Sequence, residues 1–298
     1  MKKILIIFSC LIMAWGAFAQ NYIDLLKLSY GSVTNAGFDQ SNESTTIDHL
    51  AASLTLPIPV SDKVAIITGM DYEHVSLTLS PETNRTTIHN LVLKAGLNIQ
   101  HTDVLSGTYM LLPKRASDLK NATSDDYQFG GVFYFKYQKK ENLSYKFGLY
   151  GTTEAFGFFL SPIIGFYYTS PNKKWEVNVS MPVLADANYQ VNDNLKVGAD
   201  FKAAIRGYNL TSATFQNTYV HRINQHFALY GQLGLMDNKI QVQGRIGYGF
   251  NEYAVFENAD LVDLGLPLSN VGDDRRQLSP DLSASPFFEL NVIYRYQL

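Results

Sequence analysis

The sequence predicts an all-β fold, a single antiparallel transmembrane β-barrel of about fourteen strands, with twelve as the fallback. In the last segment, Phe287 to Leu298, one face is entirely apolar and the other mostly polar, as expected when successive side chains of a strand point to opposite sides. Short turns and longer loops alternate along the chain, which is typical of barrels with tight periplasmic turns and larger extracellular loops. After the N-terminal segment no apolar run is long enough for a spanning helix, so strands must make any membrane crossing.

The N-terminus has the organisation of a secretory signal peptide. Lys2 and Lys3 precede an apolar stretch that ends in Ala17-Phe18-Ala19, which is a positive region, a hydrophobic region and a small-residue cleavage site. We therefore predict a signal peptide over 1–19 and a barrel domain over 20–298; an uncleaved anchor is the alternative. Cys10, the only cysteine, lies in the leader, so the exported chain would hold no disulfide and no thiolate metal site.

Composition excludes a nucleic-acid partner and suits a membrane interface. Of the 24 basic and 27 acidic residues, removal of Lys2 and Lys3 leaves 22 basic against 27 acidic, a net charge of −5. No basic surplus is present to neutralise phosphates. The aromatic content, with 19 Tyr and 18 Phe against 2 Trp, suits the aromatic girdles of a barrel, although a soluble β-sandwich can also be rich in Tyr.

In the first half of the mature chain, alternation and turn residues predict eight strands. The example with the clearest pattern is Thr87–Gln100, where Lys94 lies mid-strand among apolar neighbours and therefore needs a wet lumen. Ser32–Thr45 and Pro113–Asp126 are predicted outer loops, and a Gly/Phe-rich loop is predicted before the eighth strand. The predicted strands are 21–31, 47–59, 64–79, 87–100, 104–112, 129–138, 143–151 and 163–168.

In the second half the segmentation is less regular. The segment from Trp175 is predicted to continue to Val191, with Pro182 marking a bend, bulge or turn. An Asn224-Gln225 turn is predicted to separate two strands, and Glu257–Ser285 is the longest loop. The remaining predicted strands are 195–206, 215–222, 227–235, 240–251 and the closing strand 287–298.

A soluble β-sandwich would also alternate apolar and polar residues. Two features favour a barrel in lipid. The polar faces carry mainly Gln, Asn, Ser and Thr between isolated charges, and an exported chain ends on a strand with an apolar face. The leader, tight turns such as Ser61-Asp62-Lys63, and the ending Glu289 to Leu298 resemble Gram-negative outer-membrane β-barrels, most closely an uncharacterised family known only as a domain of unknown function.

That resemblance implies a location in the cell outer membrane, with outer-membrane lipid and lipopolysaccharide as surroundings. In such families the terminal strand is recognised by the barrel-assembly machinery, and the last residue is commonly Phe or Trp, where this chain has Leu298. The resemblance brings no catalytic residue. A monomer is favoured, and neither a cofactor nor a metal is expected.

Polar and charged residues on the predicted inner faces are candidates for lining a lumen. These residues could line an open pore that attracts anions. The alternative interpretation is an interior filled by salt bridges and hydrogen bonds, without a continuous channel. The candidate lumen-lining residues are Lys94, Asn98, Lys136, Glu176, Lys196, Asp200, Lys202, Arg206, Gln241, Gln243, Arg245, Glu289 and Arg295.

Catalytic and metal-binding patterns are weak. Asp48 with His49, and Asp71 with His74, lie on opposite faces of their strands, so direct pairing is not expected. The sequence has no G-x-S-x-G and no H-E-x-x-H motif, so we expect no enzyme. Carboxylates in the 257–285 loop match no calcium-loop spacing, and a solvated loop over the barrel mouth is expected.

Three functions remain. The first is a narrow channel or transporter for a small polar or amphipathic solute. The second is a non-transporting barrel with a structural or surface-binding role through its loops, and the third is an outer-membrane hydrolase.

Overall fold

The fold is a closed antiparallel barrel of fourteen strands, as predicted. The structure is a computed structural model and describes residues 22–297, so the predicted signal peptide and Leu298 lie outside the described residues. The wall is formed by β1 Tyr22–Gly37, β2 Ser44–Ser61, β3 Val64–Leu77, β4 Thr86–Thr102, β5 Leu105–Ser117, β6 Tyr127–Lys140, β7 Leu143–Glu154, β8 Gly157–Thr169, β9 Trp175–Met181, β10 Leu184–Asn192, β11 Leu195–Leu210, β12 Thr218–Leu235, β13 Ile240–Glu257 and, after the short loop strands β14 Leu264–Gly265 and β15 Asn270–Val271, β16 Ser285–Gln297.

The barrel closes where the first strand meets the last. β1 pairs with β16 from Tyr22↔Gln297 to Val33↔Phe287, and every other wall strand pairs with its sequence neighbours. Closure removes the exposed edges that an open sheet would leave. Within residues 22–297, no helix has the length and hydrophobicity needed to cross a membrane.

The predicted strand number was right, but two segments were divided wrongly. The predicted Asn224-Gln225 turn is absent, because β12 runs unbroken and Asn224 pairs with Ala204 on one side and Asn251 on the other. Hydrogen-bonded neighbours on both sides override the turn preference of asparagine. Conversely, Pro182 and the following valine form a tight turn between β9 and β10, so one predicted strand is a hairpin.

Several strands extend further than predicted. β1 continues to Gly37 and β5 to Ser117, and the predicted Gly/Phe-rich loop is instead strand on both sides of a tight turn at 155–156. The extensions lie at the end of the barrel that carries the longer loops, which we call the loop end. The opposite end, where Tyr22 and Gln297 lie, is called the turn end.

The outer surface of the barrel is apolar. Side chains at alternate positions project outward and remain exposed, with Ile246 at 67%. Such a continuous band matches the lipid-facing surface of membrane barrels, in which outward and inward positions alternate. Representative outward residues are Leu50, Leu93, Leu111, Phe133, Phe147, Ile164, Phe227, Leu229, Ile246, Phe250, Leu290 and Val292.

The β9–β10 hairpin is too short to reach the loop end. β9 pairs with β8 only between Ile164 and Thr169, and the β10–β11 ladder ends at Leu184↔Lys202. Towards the loop end, the edge of β8 is paired with a loop strand, since Gly265 of β14 bridges Phe159. The 258–284 loop therefore substitutes for barrel wall at this position.

The upper part of β11 has no β10 partner beyond Lys202 but stays paired with β12 as far as Leu210, and it reaches across the interior to β5. Asn209 bridges Ser117 of β5 in a parallel sense, although β5 is not a wall neighbour of β11. The Gln128 amide donates to the Gly207 carbonyl at 3.0 Å, and the Gly207 N–H donates to Glu154 at 2.8 Å. Side chains of β6 and β7 thus satisfy backbone groups that would otherwise lack ladder partners.

Because β11 reaches β5, apolar side chains pack together at the loop end of the barrel. Residues of β1–β5, with Leu79 just after β3, meet residues of β11–β13 and β16 in one cluster, which we call the apolar plug: Val33, Ala36, Ile47, Val75, Leu77, Leu79, Ile88, Ala116, Tyr208, Leu210, Val220, Ala228, Tyr253, Val255 and Phe287. A second cluster lies under the long loop and holds Phe156, Phe159, Tyr219, Ala254, Phe256 and Val262.

Candidate functional site

The turn end opens into a wide vestibule with a volume of about 710 Å³. Tyr22 donates a hydrogen bond to Glu176 at 2.8 Å, and Lys196 pairs with the same carboxylate at 3.1 Å. The Arg295 guanidinium lies 3.5 Å from the centre of the Tyr22 ring and pairs with Asp24 at 2.6 Å. A solute that reaches this space therefore meets positive and negative charges, and both donors and acceptors of hydrogen bonds.

Deeper in the barrel, ion pairs join the nearby strands β11, β13 and β16 inside the lumen. Arg245 is 1% exposed and forms a two-pronged pair with Asp200, at 2.9 and 2.5 Å, and a third contact with Glu289 at 2.7 Å. Lys202 approaches Asp200 at 3.7 Å. A buried guanidinium held by two carboxylates is rigid, because its planar fork fixes the geometry.

The next layer is organised around one buried carboxylate. Glu73 accepts from Arg222 at 2.8 Å, from His49 at 2.9 Å and from Tyr208 at 3.1 Å, and Arg206 lies 3.5 Å away. We call these residues the Glu73 node. Two arginines for one carboxylate leave the node with a formal positive charge.

Two further ion pairs join wall strands elsewhere in the lumen. Lys114 pairs with Glu154, and both side chains are almost fully buried. Lys94 pairs with Asp71 at 2.6 Å, where Asp71 is about one-third exposed. Together with the layers above, they place ion pairs at several depths of the lumen.

A small cavity lies between the Glu73 node and the Arg245 layer. Its volume is about 130 Å³, and we call it the central cavity. The apolar plug borders it through Val33, Ile47 and Phe287. The plug residues are nearly inaccessible, so the lumen is charged and open at the turn end and closed by apolar packing where the plug lies.

The thirteen candidate lumen-lining residues lie at different depths. Glu176, Lys196, Gln241 and Arg295 line the vestibule. Asp200, Lys202, Arg245 and Glu289 form the Arg245 layer, and Arg206 belongs to the Glu73 node. The other four are Lys94, paired with Asp71; Asn98, which donates to Thr108 at 2.8 Å; Lys136, opposite Lys146 in the β6–β7 register; and Gln243, bonded to Gln232 and Asn291.

The aspartate and histidine pairs considered for catalysis are separated. Asp48 pairs with Arg85 outside the lumen, whereas His49 contacts Glu73 within it. Asp71 pairs with Lys94, and His74 packs edge-on against His89 with ring centres 5.0 Å apart. Within the described range 22–297, no group of three or more His, Cys, Asp or Glu side chains could hold a metal ion.

Asp273 of the long loop serves a local contact. Arg275 pairs with Asp273 at 2.8 Å and lies 4.2 Å above the Phe256 ring, so it ties the loop to β13. Its hydrogen bonds hold the pKa of Asp273 below its usual range. Tyr219 anchors the loop from β12 by donating to the Asp260 carbonyl at 2.5 Å.

Sequence reasoning missed the Glu73 node and the apolar plug. A signal was present, because the inward positions of β3 change from Asp71 and Glu73 to Val75 and Leu77. An inner face that becomes apolar towards the loop end indicates that side chains pack across the barrel at that end. The sequence does not indicate which strands pack there, since this depends on the short β9–β10 hairpin.

Comparison with known proteins places the chain in a family. The family described as a domain of unknown function (DUF6268) matches residues 15–263. The chain belongs to this family. No curated protein matches the chain.

Several solved barrels resemble this DUF6268 chain. An outer membrane channel from Pseudomonas putida F1 is 10% identical with a TM-score of 0.45, and the match covers 92% of this chain and 95% of that one. The NanC porin is 11% identical with a TM-score of 0.38, covering 90% and 98%. The TodX monoaromatic hydrocarbon channel, as a deltaS2 mutant, is 8% identical with a TM-score of 0.39, covering 94% and 91%.

Proposed function

We propose that this protein is an outer-membrane barrel that acts as a narrow, gated channel for a small polar or amphipathic solute. The observation that carries the proposal is the contrast between the two ends of the lumen. A charged vestibule of about 710 Å³ opens at the turn end, and the apolar plug closes the loop end. In this proposal the described structure is the closed state.

The location in the outer membrane is supported by the outward apolar surface, which hydrocarbon would cover. The predicted leader at 1–19 would export the chain. In this orientation the turn end faces the periplasm and the loop end faces outward. Outer-membrane lipid and lipopolysaccharide are then the surroundings, the barrel-assembly machinery inserts the chain through β16, and the barrel acts as a monomer.

Gating, rather than a permanent opening, follows from the packing of the loop half. Leu77, Val220 and Leu210 of the plug have no accessible surface, and an apolar constriction excludes water and ions. The charged layers below it would attract and desolvate a solute in steps. Opening therefore requires the upper part of β11 to leave the interior.

The test is single-channel conductance of the refolded chain, residues 20–298, in planar bilayers. We expect the native barrel to be closed for most of the recording. Leu77→Asn hydrates the plug and should produce frequent openings. Val92→Asn is the matched control, because Val92 is a buried valine of β4 outside the plug, and it should leave the recording unchanged.

Folding of each variant is checked first by heat-modifiable migration on gels. Folded barrels that remain silent with both Leu77→Asn and Leu210→Asn would contradict the channel. The non-transporting barrel would then be the better explanation, with the loops as its working surface.

A further inference from the structure

The central cavity is lined by groups whose hydrogen-bonding capacity is unfilled. Arg222 is 5% exposed and Asn251 is 3% exposed. Arg222 Nε and Asn251 Nδ2 have no hydrogen-bond partner among residues 22–297. A buried donor without a partner costs roughly 1–3 kcal/mol, so two such donors on residues that line one cavity favour an occupant that accepts hydrogen bonds.

Both donors are held in place by their other contacts. The Nη1 atom of Arg222 donates to Glu73 at 2.8 Å and to Tyr208 at 3.0 Å. The Oδ1 atom of Asn251 faces His226 at 2.8 Å, which leaves the amide nitrogen as the free group. The His226 ring in turn stacks on Phe287, with ring centres 4.5 Å apart. The two donors are therefore positioned before any occupant arrives.

Tyr253 and Asn224 also line the cavity, and the Tyr253 hydroxyl and Asn224 Oδ1 lack partners at hydrogen-bonding distance. These two residues are neighbours and can satisfy each other after a small shift. The two donors that remain are therefore those of Arg222 and Asn251.

The charges around the cavity favour an anion. Its lining holds Lys202 and Arg222 against Glu73 and Glu289. Both carboxylates are already engaged by arginines outside the lining, Glu73 by Arg206 and Glu289 by Arg245. Even with Asp200 included, this group holds four cations and three anions. Buried charge of one sign is costly unless an opposite charge accompanies it.

The opposite wall of the cavity is apolar. Val33, Ile47 and Phe287 face it from the plug, and Ala203 and Ala204 add small side chains from β11. The volume of about 130 Å³ corresponds to about four waters at their share of liquid volume. An occupant with one charged end and a short alkyl end would match both walls.

We propose that the central cavity binds a short-chain carboxylate of about acetate or propionate size, with its carboxylate on Arg222 Nε and Asn251 Nδ2 and its alkyl group against Val33, Ile47 and Phe287. The inference deepens the proposed function, because the site lies in the lumen between the vestibule and the plug. It names a small monocarboxylate as the solute class.

The test is equilibrium binding of isotopically labelled propionate to the folded barrel, residues 20–298, in detergent micelles. We expect saturable binding to one site, and no competition from propionamide, which has the same shape without the charge. Nitrate, an anion without an alkyl group, should compete at least 10-fold more weakly than unlabelled propionate. Equal competition by nitrate and propionate would overturn the carboxylate assignment.

Two variants address the site without removing the Glu73 node. Asn251→Leu deletes the free donor, and Ala204→Leu fills the cavity; each should weaken propionate binding at least 10-fold. Asn90→Leu is the matched control, since Asn90 is a buried asparagine with an unpartnered amide oxygen that does not line the cavity. It should bind propionate like the native barrel.

Absence of saturable binding by the folded native barrel would overturn the site, as would unchanged binding by both Asn251→Leu and Ala204→Leu. Water alone would then occupy the cavity. Because binding is measured at equilibrium and without transport, its outcome is independent of the conductance experiment. A conducting barrel that does not bind propionate contradicts the site alone, and a silent barrel that binds it contradicts the channel alone.

Discussion

At the scale of single residues, the interior is governed by the need to pair buried charges. Glu73 is the most heavily engaged carboxylate, with two arginines, a histidine and a tyrosine around it. The charged form of a buried carboxylate persists only when such partners replace its hydration. The node also joins β2, β3, β11 and β12 across the lumen, so it fastens the crossing strand to the opposite wall.

Replacing Glu73 should therefore be much more damaging than replacing a neighbouring carboxylate. Glu73→Gln leaves Arg206 and Arg222 buried without an anion, and we expect a loss of about 3–5 kcal/mol in the free energy of unfolding. Asp71→Asn, on the same face of β3 but partly exposed, should cost under about 1 kcal/mol. Reversible urea unfolding in lipid vesicles measures both, and equal losses would contradict the role of the node.

The inward positions of residues such as Lys94 and Arg245 follow from the alternation of side chains along each strand. Their partners do not, because pairing across a barrel depends on strand register and on which strands face each other. Arg245 could be expected to need a carboxylate, but nothing local indicates that Asp200 and Glu289 supply it. Sequence alone therefore identifies the residues of the inner surface but not the ion pairs that they form.

At the scale of elements, each strand must present an apolar face to its surroundings at the correct depth. Ile246 projects outward from the middle of β13, whereas Leu235 projects outward at the turn end of β12. If the outward surface is covered by lipid, the two positions differ in depth although both are exposed apolar residues. The loss in the free energy of unfolding when a charge is introduced should therefore differ between the two positions.

Ile246→Arg should lower the free energy of unfolding by about 2–4 kcal/mol, because it places a charge near the bilayer midplane. Leu235→Arg should cost about 0–1 kcal/mol, because its side chain can reach the interface. Urea titrations of both variants in the same vesicles make the comparison. A larger loss with Leu235→Arg would contradict the placement of the barrel in lipid.

The β7–β8 turn offers a test of how the long loop is seated. Gly157 has φ +123°, and a Cβ there would lie 2.6 Å from the Val262 carbonyl, so Gly157→Val should displace the loop. Trypsin should then cleave after Arg275 and Arg276 at least 10-fold faster than in the native barrel. Gly244→Ala is the control, since nothing lies within 4 Å of the added Cβ, and unchanged cleavage in Gly157→Val would contradict the seating.

Alternation and turn residues were enough to predict most strands, because each face of a barrel strand has a constant environment. They failed where a tertiary contact replaced that environment. Asn224-Gln225 has a turn composition but is held in a ladder on both sides, and Pro182 reverses the chain where a neighbouring strand would have kept it extended. The two errors cancelled in the strand count.

At the scale of the whole molecule, the interior changes character between the two ends of the barrel. Ion pairs and hydrogen-bonded amides extend from the vestibule up to the Glu73 node and the buried Lys114–Glu154 pair, and the apolar plug closes the loop end between strands β1–β5 and strands β11–β13 and β16. A solute that crosses must exchange hydration for fixed charges and then displace packed side chains. The second step is the natural barrier, and the 130 Å³ central cavity lies directly before it.

The short β9–β10 hairpin has a consequence for how the molecule opens locally. Most of the wall is a continuous ladder, so its amide hydrogens can exchange with solvent only through extensive unfolding. Between Gly157 and Ile163 of β8, the hairpin provides no ladder, and the loop strand provides a single bridge at Phe159. If the loop lifts, the backbone amides of β8 between Gly157 and Ile163 become accessible to deuterium while the rest of the barrel stays protected. The amide hydrogens of this segment and of the loop should therefore exchange together, as one sub-global unit.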